Sequence, residues 1–467
     1  MATLSFHGAA QEVTGSCHLL ESPALGRVLL DCGLHQGGDA VERLHEETLP
    51  FDPHAIDALV LSHAHLDHSG RLPLLVNRGF SGPIHCTEAT VDLLELMLED
   101  AAGLYLRDLE RSNLRQRRRG KPLRKADYSR ADVHKALKLC QPHAYGDTWS
   151  LGPEATVCFH DAGHILGSAI VELTLTEKAK RKTLVFSGDL GKSDAVLMKD
   201  PAQLTHADLV MMEGTYGDRN HRSMDNTLAQ LGEILTDTWA RGGNVMIPSF
   251  AVGRTQEILF HLGRLHQQGT LDNWQIFLDS PMAIKATRLY DRWFKLLDHD
   301  DVKHIRRSHH NSLVDFLPNL NCAVTTDESM AINRIKSGAI IIAGSGMCTG
   351  GRIRHHFKQR IWNARNTLLF IGFQARNTLG RLLVDGAKHV KLFQEDYVVK
   401  ARIETLGGFS AHADQSGLMR WIGHFEGRPR VVLVHGEPRA LDALSQKLWK
   451  EKQVECEIPA EGQSLVF

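Results

Sequence analysis

No run of apolar residues in this chain approaches the length of a helical membrane span, which removes integral helical membrane proteins from the expectations. The opening Met1-Ala2-Thr3-Leu4-Ser5-Phe6-His7-Gly8 has neither a basic n-region nor a long apolar h-region, so no secretory leader is expected from it. Cys-x-x-Cys pairs are missing as well. Cys17, Cys32, Cys86, Cys140, Cys158, Cys322, Cys348 and Cys456 are scattered, the pattern of reduced thiols in a soluble cytoplasmic protein rather than of a disulfide framework or a zinc ribbon. Net charge is almost absent: 54 Lys and Arg against 55 Asp and Glu leave −1, so no global field advertises a polyanionic partner, and any such surface has to be local. There is no low-complexity linker and no tandem short repeat. Two Gly-rich strand-to-helix turns occur, but neither completes a P-loop or a Gly-x-Gly-x-x-Gly fingerprint.

The chain does have length and apolar content. At 467 residues it exceeds the size at which one core keeps growing, so two domains, or one domain with a large insertion, are expected, and 42% apolar residues suffice for real cores. It also has one dense cluster. In Leu59-Val60-Leu61-Ser62-His63-Ala64-His65-Leu66-Asp67-His68-Ser69-Gly70 an apolar run stops abruptly at three histidines and an aspartate, as when a buried strand delivers its end into a polar site. His63 and His65, two apart on extended chain, point to the same side, and Asp67 and His68 are placed at the opening of a helix. A single histidine would be read as a satisfied core or surface residue. Three with an aspartate, so ordered, offer ligands for two zinc-like ions.

The same grammar recurs along the chain. Arg27–Leu30 runs into Asp31, and a β-meander through Gln11–Leu20 and Arg27–Gly33 is expected to lead to the cluster. Pro83–Thr87 reads as a strand, with Thr87 the N-cap of a helix through Leu93, Leu94, Met97, Leu98 and Leu104. Ala155–Phe159 ends toward His164, Thr183–Phe186 toward Asp189, Asp208–Met212 at Glu213 and Arg430–Val434 at His435. In α/β architectures sites gather where strands end, so these residues are expected to converge. Between about Thr215 and Lys400 the pattern changes to buried parallel-type strands alternating with helices, as in Asn244–Phe250, Ala339–Gly346 and Thr367–Gly372, without a dense ligand cluster. It reads as a folded insertion.

Ligand types suggest the chemistry. With His63, His65 and His164 on one ion, Asp67, His68 and His435 on the other and Asp189 bridging, each ion keeps an open position for a shared water, as catalytic sites do. A hydroxide between two such ions is a nucleophile near neutral pH, and two cations clamp an anionic centre such as phosphorus. Asp31 is cast as the partner that orients a histidine ligand. His412, in Gly408-Phe409-Ser410-Ala411-His412-Ala413-Asp414, supplies a general acid, and Glu213 a carboxylate that orients it and raises its pKa.

Together these residues resemble the β-CASP branch of the metallo-β-lactamase superfamily, the RNA nucleases related to the pre-mRNA 3′-end processing endonuclease, over nearly the whole chain. Gly8–Ser16 resembles the family's opening and Asp31 its first motif; His63-Ala64-His65-Leu66-Asp67-His68 is its signature, His164 and Asp189 its third and fourth motifs, and Glu213, His412 and His435 fall on the three motifs particular to β-CASP nucleases. The resemblance implies an α/β fold: an αββα metallo-β-lactamase sandwich from residues 1–207 and 399–467, with an inserted α/β β-CASP domain over 208–398. It implies catalytic His412, Glu213, Asp67 and Asp31, and metal ligands His63, His65, Asp67, His68, His164, Asp189 and His435. Two Zn²⁺ ions are the expected cofactors, with Mn²⁺ tolerated by the same donors. Single-stranded RNA is the expected substrate and a second copy of the chain an open partner.

The short stretch after His435 favours an endonuclease over a 5′-exoribonuclease. A hydrolase of small thioesters, lactones or sulfate esters on the same metal core is the competing enzyme, and an RNA-binding scaffold the competing non-enzyme. Phe373–Arg381 departs from the family's usual Glu-Gly before Thr-Leu-Gly-Arg, with no function attached. The basic run Arg111, Arg115, Arg117, Arg118, Arg119, Lys121, Arg124 and Lys125 has two readings, a solvated face or a phosphate-tracking surface, with Tyr128 the one aromatic near it.

Overall fold

The computed structural model describes residues 2–467 apart from 36–43, 46–48, 178–179, 308–309, 373 and 376. Phe373 and Arg376, in the departing segment noted above, therefore lie outside the described residues. The chain forms two compact units: Met1–Ala195, Lys199–Asn220 and His412–Phe467 make the first, and Val196–Met198 with His221–Ala411 the second.

In chain order the first unit supplies β1 (Thr3–Phe6), β2 (His18–Ser22), β3 (Gly26–Leu30), β4 (Ala58–Val60), β5 (Ile84–Thr87), β6 (Cys140–His143), β7 (Thr148–Gly152), β8 (Ala155–Asp161), β9 (Ala169–Glu177), β10 (Lys180–Phe186) and β11 (Leu209–Glu213). The second unit supplies β12 (Val245–Pro248), β13 (Gln275–Asp279), β14 (Leu320–Cys322), β15 (Ala339–Ala343), β16 (Thr367–Phe370), β17 (His389–Leu392), β18 (Glu395–Val398) and β19 (Arg402–Thr405). The chain then returns to the first unit with β20 (Arg430–Val434), β21 (Cys456–Glu457) and β22 (Ser464–Val466).

Two seven-stranded sheets build the first unit, ordered β22-β1-β2-β3-β4-β5-β6 and β21-β20-β11-β10-β9-β8-β7. Strand alternation explains how they stack. On β11, Leu209 and Met211 face the inter-sheet core with Phe6, Val28, Phe159, Val171 and Phe186, while Val210 and Met212 face the other way. There they meet Leu418 and Ile422 of the Gln415–Ile422 helix and Leu441, Leu444 and Leu448 of the Pro438–Lys452 helix. Helix Glu88–Arg118 lies against β5 and β6 outside the other sheet. The result is the expected αββα sandwich.

Its details differ from the sequence reading in four places. The meander ends at β3, because 27 residues lie between Leu30 and Ala58, ample for a crossover, and β4 pairs with β3 in parallel at Val28↔Ala58 and Leu30↔Val60. Gln11–Cys17 is loop rather than strand, broken by left-handed backbone at Gln11 (φ 62) and Gly15 (φ 75). Leu104 is exposed, the buried stripe of its helix running instead through Leu94, Leu98, Ala102, Tyr105 and Leu109. The unit boundaries fall later than 208 and 399: β11 is sandwiched between β10 and β20 in the first unit's sheet, and β19 pairs with β16 in the second unit.

The second unit holds a six-stranded, all-parallel sheet, β14-β13-β15-β12-β16-β19, and the β17–β18 hairpin. Its central strands are buried on both faces. Val245, Ile247, Ile340, Ile342 and Leu369 face one cluster, Met246, Leu368 and Phe370 another, as near-continuous apolar runs require. Helices Arg254–Gln267 and Ile353–Arg360 follow the Gly-containing turns after β12 and β15.

Candidate metal centre

The site residues lie just past strand ends of the first unit, Asp31 after β3, His63 and His65 after β4, His164 after β8, Asp189 after β10 and His435 after β20, with Asp67 and His68 on the short Leu66–Ser69 helix that follows His65. Two of these positions are conformationally costly: Asp31 after β3 has φ 63 and His435 after β20 has φ 49, left-handed geometry that side-chain-bearing residues hold at about 1–3 kcal/mol each when the surroundings impose it. The surroundings here do. Asp31 N donates to Val60 O, Cys32 N to His68 O and His435 N to Ala9 O. Gly33 is required by close approach, since a Cβ there would lie 1.6 Å from the Asp67 carbonyl oxygen. Gly167 (φ +81) brings the His164 loop so near the Glu88–Arg118 helix that a Cβ would meet Thr90 N at 2.7 Å.

The side chains converge in two groups around one carboxylate. His63 Nε2 lies 3.1 Å from His65 Nδ1, which lies 3.2 Å from His164 Nε2. Asp189 Oδ2 is 3.5 Å from both His63 Nε2 and His164 Nε2. In the second group His68 Nε2 is 3.2 Å from His435 Nε2, and His435 Nε2 is 3.7 Å from Asp67 Oδ2. The other oxygen of Asp189, Oδ1, faces this group, 3.3 Å from His68 Nε2. The sequence-derived grouping is thus the one the structure brings together.

Three observations show that these donors fit metal ions. Zn–N bonds of 2.0–2.1 Å place tetrahedral ligand atoms about 3.3 Å apart, the spacing found here. Burial holds His63 well below the usual imidazole range and His65 at about 4, so both rings are neutral and each has a lone pair to offer a cation. Asp189 Oδ1 is buried and accepts no hydrogen bond from the protein. Burial opposes the charge on Asp189, but the imidazoles of His435, His68 and His412 outweigh it and hold the carboxyl well below its ordinary range. Asp67 is likewise lowered, to about 2, its burial outweighed by the neighbouring imidazoles of His435, His68 and His65.

Asp31 does not join the ring of donors. Its Oδ2 accepts from His68 Nδ1 at 2.7 Å and from Ser16 and Ser62 Oγ, and its Oδ1 from Ser62 N. It thereby leaves His68 Nε2 to face inward. Glu213, fully buried at the end of β11, accepts from Leu190 N at 2.7 Å and Thr215 N at 3.3 Å, and from His412 Nδ1 at 3.1 and 3.2 Å. His412 Nε2 then looks toward Asp189 Oδ2, 3.9 Å away. Burial alone would discharge His412; the carboxylates of Glu213 and Asp189 reverse this and push it up to about 9. His412 is 21% exposed and Asp67 16%, against 0–5% for His63, His68, His164, Asp189 and His435, so the site opens on their side.

Comparison with known families matches residues 10–153 to the metallo-β-lactamase superfamily, 255–383 to the Beta-Casp domain and 396–459 to the Zn-dependent metallo-hydrolase RNA specificity domain. A curated relative, Ribonuclease TTHA0252 of Thermus thermophilus, is 41% identical over 443 residues, 94% of each chain. The chain belongs to the β-CASP family of metallo-β-lactamase-fold RNA nucleases. Other relatives are the Transcription termination factor FttA of Methanosarcina mazei, 32% identical over 96% of this chain and 69% of that protein, and an RNase J-like protein of Methanocaldococcus jannaschii, 29% identical over 99% of both. Among the described residues no helix is long and apolar enough to cross a membrane.

Sequence reasoning overlooked three hydroxyls that set the histidine tautomers of this β-CASP site. Ser62 Oγ donates to Asp31, so its oxygen is free to accept from His63 Nδ1 at 3.1 Å. Ser16 Oγ steadies Asp31 from the other side. Thr215 Oγ1 donates to the His435 carbonyl and can accept from His435 Nδ1 at 3.1 Å, which leaves Nε2 a lone pair. The available signal was a small hydroxyl residue beside each ligand-bearing strand end. Replacing Thr215 with Val removes the hydroxyl at nearly constant volume, and we expect metal affinity, read by chelator competition, to fall about 10- to 100-fold with near-parental activity at saturating metal. Unchanged affinity would make that hydrogen bond incidental.

Proposed function

We propose that this chain hydrolyses single-stranded RNA internally, leaving 5′-phosphate and 3′-hydroxyl ends, with two zinc ions as the resident metals. Family membership makes it a metal-dependent hydrolase of RNA phosphodiesters at the coarser level. The observation that carries the finer reading is the Glu213–His412 pair, an oriented imidazole aimed at the carboxylate shared by both donor groups.

His63, His65 and His164 with Asp189 Oδ2 would hold one ion, and Asp67, His68 and His435 with Asp189 Oδ1 the other. Bound there, the metals supply Lewis acidity toward a phosphodiester and acidify a water enough to attack near neutral pH. The rest is done by the chain's own residues. Asp31, Ser62 and Thr215 fix the inward-facing nitrogens before substrate arrives. Glu213 holds His412 Nδ1, so the proton carried on Nε2 is the one offered to the leaving 3′ oxygen, and the 5′ side keeps the phosphate. A poor alkoxide leaving group needs that proton; a small activated ester does not.

The test is one RNA labelled separately at each end, incubated with protein of known metal content and with the Asp189→Ala variant. Internal fragments formed by the parent alone are the expected result. Mononucleotides released from the 5′ end would replace internal cutting with exonuclease action. Turnover of thioester or lactone substrates without RNA cleavage would overturn the nuclease reading.

A further inference from the structure

We infer that the distal end of the Glu88–Arg118 helix, with the loop folded back on it, is an arm that binds the phosphate backbone of RNA well away from the metal centre. The inference rests on the RNA reading above and deepens it. Between Arg111 and Lys125 there are eight Lys or Arg and no Asp or Glu, in a chain whose overall charge is −1. Seven of the eight are exposed, Arg124 being half-buried. Arg111 pairs with Asp108 at 3.4 Å, whereas among the described residues no acidic side chain pairs with Arg115, Arg117, Arg118 or Arg119. One or two cations would satisfy the helix C-terminal dipole; four without an acidic partner among the described residues exceed what capping asks for.

The arm is built, not frayed. Asn113 holds Arg124 in both directions, Nδ2 donating to its carbonyl and Oδ1 accepting from its N–H, each at 2.9 Å. Tyr105 OH donates to Asp127 Oδ2 and accepts from Asp127 N, both at 2.9 Å, and its ring stacks on Tyr128 with centroids 5.0 Å apart. Charge is thus presented on a fixed scaffold, which lowers the ordering cost of binding.

The foot of the same helix stands at the site. Thr87 Oγ1 and Thr90 Oγ1 donate to Gly167 O at 2.6 and 2.9 Å, in the loop that carries His164. From Glu88 to the arginines the 31-residue helix rises 1.5 Å per residue, so the arm lies about 40 Å along the axis from the catalytic loop. At the 3.4 Å per nucleotide of a stacked strand this is roughly a dozen nucleotides. RNA longer than that reaches both places, and shorter RNA only one.

The experiment compares the parent with the quadruple variant R115Q/R117Q/R118Q/R119Q, and with the corresponding Lys variant, for binding of single-stranded RNAs of about 40 and about six nucleotides. Anisotropy is read across a salt series in a His412→Ala background that keeps RNA intact. We expect the Gln variant to bind the long RNA about 10- to 100-fold more weakly at 0.15 M salt, with a slope of log affinity against log salt shallower by roughly 3, or about 0.7 per lost phosphate contact. The Lys variant should bind like the parent, and cleavage of the short RNA by the otherwise parental Gln variant should be unchanged. Long-RNA affinity and slope within twofold of the parent would overturn the arm, and so would an equal loss on the short RNA. If the parent cuts neither RNA, the nuclease reading falls while the binding comparison still decides this one.

Discussion

Asp189→Ala should lose metal and activity together: near-zero metal after dialysis against a weak chelator, and a rate on RNA lower by at least about four orders of magnitude, roughly 5.5 kcal/mol of transition-state stabilisation. The size follows from position. Among the described residues Asp189 is the one carboxylate with an oxygen toward each group, Oδ2 toward His63 and His164 and Oδ1 toward His68, and it is the negative charge at the centre of buried imidazoles. Without it five imidazole donors must hold cations with only Asp67 to offset their charge. Asp189→Asn keeps the volume and removes the charge, and should behave nearly as Ala does. Circular dichroism and a parental RNA affinity for both variants would separate loss of metal from loss of fold. Full metal content with parental activity in Asp189→Asn would remove this residue from the centre.

The parts of this site legible in the sequence share a physical cause. A buried strand is an apolar run, and a ligand must leave it at the end where the sheet opens to a loop, so His63, Glu213 and His435 announce themselves by position. Thr87 is legible for a similar reason, its hydroxyl accepting from Thr90 N at the helix start. What the sequence conceals is pairing. Nothing in Leu209–Glu213 says that β11 slots between β10 and β20, because a strand buried on both faces looks alike in either unit. The roles of Ser62 and Thr215 were hidden in the same way. A hydroxyl acquires its meaning from residues 31 and 435, which only the folded chain brings alongside. Leu104 shows the limit of periodicity, an apolar residue in a helical pattern that solvent reaches because the buried stripe passes beside it.

His412→Ala should separate chemistry from metal binding: metal content as in the parent, and a rate on RNA lower by about 10²- to 10⁴-fold, the usual worth of a positioned general acid. Protonated His412 is the working form, and Glu213 and Asp189 hold its pKa up to about 9 against the opposing effect of burial. Activity should therefore persist through neutral pH and fall as pH rises through that region. Glu213→Gln keeps the hydrogen-bonding shape but removes the charge, so the alkaline limb should move to lower pH in that variant and disappear in His412→Ala. A structural role for His412 predicts neither change. The decisive control is the leaving group. With bis(p-nitrophenyl) phosphate the departing phenolate is stable without a proton, so His412→Ala should hydrolyse it at close to the parental rate while remaining slow on RNA. Equal slowing on both substrates would show that His412 shapes the site rather than protonating the leaving oxygen, and parental cutting of RNA by His412→Ala would remove it from catalysis altogether.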